Sequence, residues 1–146
     1  MKKEFIELWL KSGMIRSRQK DKERIKSMIG SSEINVLVAK EIKLNERTAT
    51  LIFREIYESI RQLGDSKWWL LGYEPLNHEM SMNILKEFDI KEKIKLNSLD
   101  RFKKIRHDMN YRGFRATLMQ TEEILDFWDK CGKEILKILK KEVNNN

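Results

Sequence analysis

Four side chains able to hold a phosphate ester and move protons around it span residues 106–111: Arg106, His107, Asn110 and Tyr111. They belong to the stretch RFKKIRHDMNYRGFR, residues 101–115, which carries six Lys or Arg, one His and a single acid, Asp108. A guanidinium offers a bidentate fork to phosphate, and an imidazole moves a proton near neutral pH. A phenol donates to a phosphate oxygen or stacks on a base. On a helix, Phe102, Ile105 and Met109 fall with Leu99 on the core side. Arg106, His107, Asn110 and Tyr111 fill the adjacent arc of about 140°. Arg106 and Asn110 are spaced i,i+4, as are His107 and Tyr111, so all four can converge on one ligand. Arg101, Lys104, Arg112 and Arg115 would extend the positive surface along a polyanion. The same pattern also fits a solvated basic face beside a core stripe.

To present that arc, a helix opened near Ser98 must stop soon after Tyr111. Gly113 tolerates positive φ, so the spacing predicts a left-handed stop there. Upstream, Phe5, Ile6, Trp9 and Leu10 mark a short first helix. A second runs from about Asp21 to Ile42 with Ile25, Met28, Ile29, Val36 and Ala39 inward, and Gly30-Ser31-Ser32 is expected to kink or break it. Asn45 is the expected N-cap of a third, with Glu46 in its first turn. That helix shows Ala49, Ile52, Phe53, Ile56, Tyr57, Ile60 and Leu63 at three-four spacing, with a distortion expected at Gly64 before Trp68–Leu71. Gly72 then reads as a C-cap, and Pro75 suits the start of the next helix.

A short helix is expected over about Asn77–Phe88, a loop over about Lys91–Asn97, and a last helix capped by Thr121 with Glu122 and Glu123. Its apolar stripe is Ile124, Trp128, Cys131, Ile135, Ile138 and Leu139. No segment shows strand alternation. The expectation is an all-α protein, an antiparallel bundle of five to seven helices in one domain over 1–143. Its N-terminal helices lie within 2–42, its core over 45–142, and the asparagines at 144–146 form a disordered tail.

Composition bounds the chemistry. The chain has 146 residues, of which 40 % are hydrophobic and 36 % charged, with a formal charge of +7. A basic balance favours a polyanionic partner, and it equally fits a Lys-rich solubilising surface. Cys131 is the only cysteine, so no intramolecular disulfide and no cysteine metal site can form. With two histidines, His78 and His107, and scattered carboxylates, no metal and no cofactor is expected. The apolar stretch in MKKEFIELWLKSG is too short and charged for a signal peptide, and no window reaches a membrane span. The reducing cytosol is the expected compartment. His78 reads as a turn residue, Trp68 and Trp69 as core or interface, and the Arg/Lys run over 16–26 as a solvated face interrupted by Asp21 and Glu23.

The segment LDRFKKIRHDMNYRG resembles the signature helix of HEPN domains, prokaryotic helical bundles found with nucleotidyltransferases and RNA-cleaving toxins. The family pattern is an Arg followed by a polar residue, with a His four to six residues further on. Arg106 and His107 match the first two positions, and GYEPLNHEMSMNIL resembles the Gly-Tyr-x-Pro-x-x-His segment of many members. TEEILDFWDKCGKEILKIL resembles the closing helix, so the similarity covers roughly 45–142. Tyr111 stands where nuclease members place their His. Arg101 and His107 also satisfy the spacing, but Arg101 is followed by apolar Phe102. The resemblance implies a homodimer pairing motif helices, an RNA or nucleotide ligand, and a site built from Arg106, His107 and Tyr111.

Three functions fit these residues. One is RNA or nucleotide binding by the basic arc. Another is metal-independent endoribonuclease activity, with Arg106 on the scissile phosphate and His107 or Tyr111 assisting proton transfer. The third is a helical interaction module, the partner of a nucleotidyltransferase in a toxin–antitoxin-like pair.

Overall fold

A computed structural model describes residues 2–145. In chain order it contains α1 (Lys3–Lys11), β1 (Ile15–Ser17), α2 (Lys22–Glu41), α3 (Ala49–Leu70), β2 (Tyr73–Pro75), α4 (His78–Leu85), a 3₁₀ segment (Lys93–Ser98), α5 (Leu99–Arg112), α6 (Leu118–Phe127) and α7 (Lys133–Asn144). A π-helical turn, Trp128–Gly132, joins α6 to α7 without a break. Counting that rod once, the described residues form six helices, and helical segments, the 3₁₀ segment included, make up 74 %. Among the described residues no helix is long and apolar enough to cross a membrane.

The centre is α3. Its apolar residues recur at three-four spacing and also spread around the helix, so Ile52, Phe53, Ile56, Tyr57, Ile60, Leu63, Trp68 and Trp69 are all buried. It packs against α2, α4, α5, α6 and α7. Aromatic rings fix α5 in this frame. Phe102 stands edge-on to Phe53 of α3, with centroids 6.1 Å apart, and to Phe127 of α6 at 5.4 Å. Leu99, Phe102 and Met109 form the buried side of α5, and Gly113 closes it at φ 67°, the left-handed stop that its position predicts.

Several local expectations are corrected. β1 and β2 form a two-stranded antiparallel ribbon, with Ile15 opposite Pro75 and Arg16 opposite Glu74. Strands of three residues are too short for alternation to register. The ribbon and α1 cover a second apolar cluster made by Ile15, Trp68, Met80 and Ile84. Pro75 therefore belongs to a strand, and α4 begins after Asn77, whose Oδ1 accepts from Met80 N. α4 itself ends at Leu85, short of Phe88.

Gly30-Ser31-Ser32 leave α2 unbroken, and the buried Ser32 hydroxyl is satisfied within the helix by donating to Ile29 O at 2.8 Å. Asn45 caps a separate turn, accepting from Arg47 N and Thr48 N, and α3 starts at Ala49. Gly64 does not distort α3; a Cβ there would run into the Ser81 carbonyl, so the glycine admits α4. The cap of α6 is Thr117 in a capping box with Gln120. Thr121 is buried one turn inside and donates to Ala49 O at 3.1 Å. Of the tail expected at 144–146, Asn144 ends α7 and Asn145 caps it, while Asn146 lies outside the described residues.

Candidate functional site

With its apolar side held by Phe53 and Phe127, α5 turns Lys103, Arg106, His107 and Tyr111 outward. They form one wall of a hollow of about 350 Å³, closed by Tyr57 of α3 and by Asn77, His78 and Glu79 at the start of α4. Arg106 is half-buried, and its guanidinium carbon lies 5.5 Å from the centre of the Tyr57 ring, within cation–π range. Its Nε is buried and has no hydrogen-bond partner among the described residues. Tyr57 is 1 % exposed, and burial pushes its phenol up to about 12 although Arg106 and Arg61 pull the other way. The hydroxyl thus stays protonated, and an uncharged aromatic face supports the arginine.

A polar ladder runs behind that face. Arg61 donates to Glu58 at 3.0 Å and to Asp65 at 2.7 Å, and Asp65 accepts from the Ser81 hydroxyl of α4. Burial holds the Asp65 carboxyl above its usual range despite Arg61. For Glu58, burial works upward too, but the hydrogen bond and charge of Arg61 outweigh it, and its carboxyl ends below the usual range. The ladder, the Gly64–Ser81 approach and the bond from Trp68 Nε1 to Met80 O at 2.8 Å clamp α4 onto α3. That clamp sets the position of His78, the first residue of α4. Partial burial lowers the His78 pKa, the cations Arg61 and Arg106 lower it further, and Glu58 and Asp65 oppose them. The net shift favours a neutral imidazole at pH 7. Across the hollow the His107 and Tyr111 rings lie 4.7 Å apart, and Lys103 reaches Glu79 at 3.7 Å.

The expected convergence of four residues narrows to three. Arg106, His107 and Tyr111 share the hollow, while Asn110 is exposed and is not part of its wall. The outlying bases point elsewhere. Arg101 pairs with Glu123 of α6, and Arg112 lies 3.8 Å from Asp108. Arg115 donates to Arg47 O at 2.9 Å, and Lys104 stands exposed outside the hollow. Arg16 and Arg18, from the N-terminal basic run, both hold Glu74, whose carboxyl their hydrogen bonds push down to about 2.

Three residues of the hollow escape a reading of the sequence. Tyr57 sits in an isoleucine-rich stripe and reads as core; His78 follows an N-cap and reads as a turn residue; Lys103 is one lysine among many. The usable signal is Gly64: a glycine inside an apolar helix marks a close approach by another backbone, here the one that carries His78. Compared with protein-family models, with curated proteins and with solved structures, the chain matches none.

Proposed function

We propose that the hollow at Arg106 binds a phosphate group of RNA or of a nucleotide, and that the chain is a HEPN-like protein whose motif helix is α5, with Tyr111 in the place of the motif His. The observation that carries this reading is the state of Arg106. Among the described residues it forms no ion pair with a carboxylate. It rests on Tyr57 with Nε unpaired, at the wall of a hollow that also presents Lys103, His107 and Tyr111. Most other arginines near α5 are spent on internal partners: Arg61 on Glu58 and Asp65, Arg101 on Glu123, Arg115 on a carbonyl. A cation held in place with donors free suits an incoming oxyanion. Two copies pairing through the end of α5 would bring two such hollows to one cleft.

The test is fluorescence polarisation of a labelled RNA 20-mer over a salt series. Arg106→Ala should weaken binding and reduce the log–log salt slope by about one unit. Arg106→Lys should restore affinity only in part, because it returns the charge without the fork. Unchanged binding in an Arg106→Ala, Arg112→Ala double variant would remove the nucleic-acid reading and leave an interaction module, such as a nucleotidyltransferase partner.

A second reading is metal-independent RNA cleavage. What favours it is that both histidines of the chain, His78 and His107, line the hollow that holds Arg106.

A further inference from the structure

Another hollow, of about 290 Å³, lies between α2 and α7, and none of its residues belongs to the Arg106 hollow. Its floor is apolar: Val36 of α2, Leu136 of α7 and the Trp128 indole of the π-helical turn are buried beneath it. Gly132 makes room for that indole, because a Cβ there would meet the ring at 2.6 Å. Ion pairs frame the hollow. Lys140 of α7 reaches Glu33 of α2 at 2.8 Å, and Lys40 of α2 pairs with Asp129 of the turn, which Lys133 also reaches at 3.3 Å. The pairs fall in reverse order along the two helices, so α2 and α7 are antiparallel. The framed length is the rise from residue 33 to residue 40, about 10 Å. Between the frames, Leu37 stands on one edge and Lys137 on the other.

Two features of this surface have no use within the fold. Leu37 is 59 % exposed, and so is Ile34, one turn away on the same side, although α2 already buries Ile25, Ile29, Val36 and Ala39 on its other face. A helix that is apolar on both faces calls for a neighbour on each. Lys137 forms no ion pair among the described residues, so the four lysines around the hollow meet only two carboxylates, those of Glu33 and Asp129.

We propose that this hollow docks an acidic amphipathic helix of a partner protein, with one bulky apolar side chain seated between Leu37 and Lys137 and carboxylates on the surrounding lysines. At about 290 Å³ the hollow lies at the lower end of small-molecule sites, and it suits a single anchor with the rest of the ligand outside. An apolar pocket inside a ring of paired side chains has the form of an interface anchor site, because the ring keeps water from the anchor. Ile34 continues the apolar strip by one turn, which matches the i,i+3 or i,i+4 spacing of a helix laid in a groove. The unbalanced lysines select acidic flanks and repel basic ones. A second copy of this chain offers no such segment. Tyr111 and Phe114 lie among Arg112 and Arg115, and α1, with Phe5 and Leu8 exposed, sets Lys3 and Lys11 against Glu4 and Glu7.

The experiment selects from a random 12-mer peptide library displayed on phage, with the full chain as bait. The enriched peptides should share a Phe, Trp or Leu with Asp or Glu three or four residues away. A labelled synthetic peptide of the leading sequence, followed by fluorescence polarisation, should bind Leu37→Asp and Lys137→Glu each about tenfold or more weakly than wild type. Exchanging the acids of the peptide for lysines should abolish binding to wild type and restore part of it to Lys137→Glu. Both side chains are exposed, so the two variants should melt with the unaltered protein. Enriched peptides that lack acidic residues, or that bind both variants as tightly as wild type, would overturn the proposal. A fall in light-scattering mass on Leu37→Asp would also overturn it, by assigning the face to a second copy.

Discussion

Arg106 lies over the face of Tyr57, its guanidinium carbon 5.5 Å from the ring centre, and Tyr57 is among the most buried large side chains of the protein. The cation of the site thus rests on an aromatic quadrupole and has no carboxylate within ion-pair distance among the described residues, Glu58 feeling its charge only at longer range. Tyr57→Phe keeps the quadrupole and should leave RNA affinity within about twofold. Tyr57→Leu fills much of the same space without a ring and should weaken binding, since exposed to partly buried cation–π pairs are worth about 0.5–2 kcal/mol. A polarisation titration of both variants checks this, and equal affinities for Tyr57→Leu and wild type would show that the ring does not position Arg106.

Gly64→Ala should be among the most damaging single-methyl additions to this protein. The new Cβ would meet the Ser81 backbone carbonyl, which no rotamer change can move. Alanine ordinarily helps a helix interior, by about 1 kcal/mol over glycine. Overpacking costs about 1–3 kcal/mol, so the balance favours destabilisation with α4 pushed outward. Urea unfolding should show a lower midpoint, and a raised midpoint would mean that α3 and α4 are not in register as described.

The contrast between Gly64 and Gly113 shows how much of the molecule its sequence discloses. Gly113 acts locally, ending a helix whose apolar period stops beside it, and its left-handed φ of 67° follows from the chain itself. Gly64 acts on a segment seventeen residues away, and nothing in its own neighbourhood names Ser81 as the partner. The same division holds at the site. Arg106, His107 and Tyr111 are legible because one helical face carries all three. Tyr57 and His78 are brought to them only by the packing of α3 and α4, which no periodicity within α5 encodes. The β1–β2 ribbon is illegible because three-residue strands have no pattern to read. Asn110 falls outside the hollow because an i,i+4 spacing fixes a face of a helix without fixing where a neighbouring helix ends.

Glu74 gives the pH dependence. Hydrogen bonds from Arg16 and Arg18 hold its folded pKa at about 2, below the ordinary glutamate value of 4.5. A depressed folded pKa means that its stabilisation is fully present above about pH 4.5 and is lost as pH falls toward 2. Glu74→Gln should lower the melting temperature modestly at pH 7, because exposed pairs contribute about 1 kcal/mol or less, and the difference from wild type should vanish as pH falls through that window, flattening the variant's acid limb. An acid limb identical in the variant would show that the ribbon's ion pairs do not form in solution.

Cys131 is buried at the π-helical turn, and burial pushes its thiol up to about 11. The reactive form is the thiolate, so the folded protein should react with a disulfide reagent far more slowly than the urea-unfolded chain. Rapid stoichiometric labelling under native conditions would mean that the turn between α6 and α7 opens readily.

Beside the site, Tyr111 is 77 % exposed, Phe114 56 % and Met119 77 %, at the end of α5, in the following turn and at the start of α6. Exposed apolar side chains that gather into one patch mark an interaction site more often than scattered ones do. If the chain pairs with itself there, a two-fold axis makes the patch self-complementary and sets the two Arg106 hollows beside one another. Light scattering at micromolar concentration should then give twice the 17.6 kDa of one chain. Phe114→Asp with Met119→Asp should give the single-chain mass with an unchanged circular dichroism spectrum, because both side chains already stand in water in the isolated chain. The same double variant should also weaken RNA binding if both hollows touch one strand, and it should do so more for a 20-mer than for a mononucleotide. A monomer mass for the unaltered protein would remove the pairing and leave Tyr111 and Phe114 as exposed rings beside a single hollow.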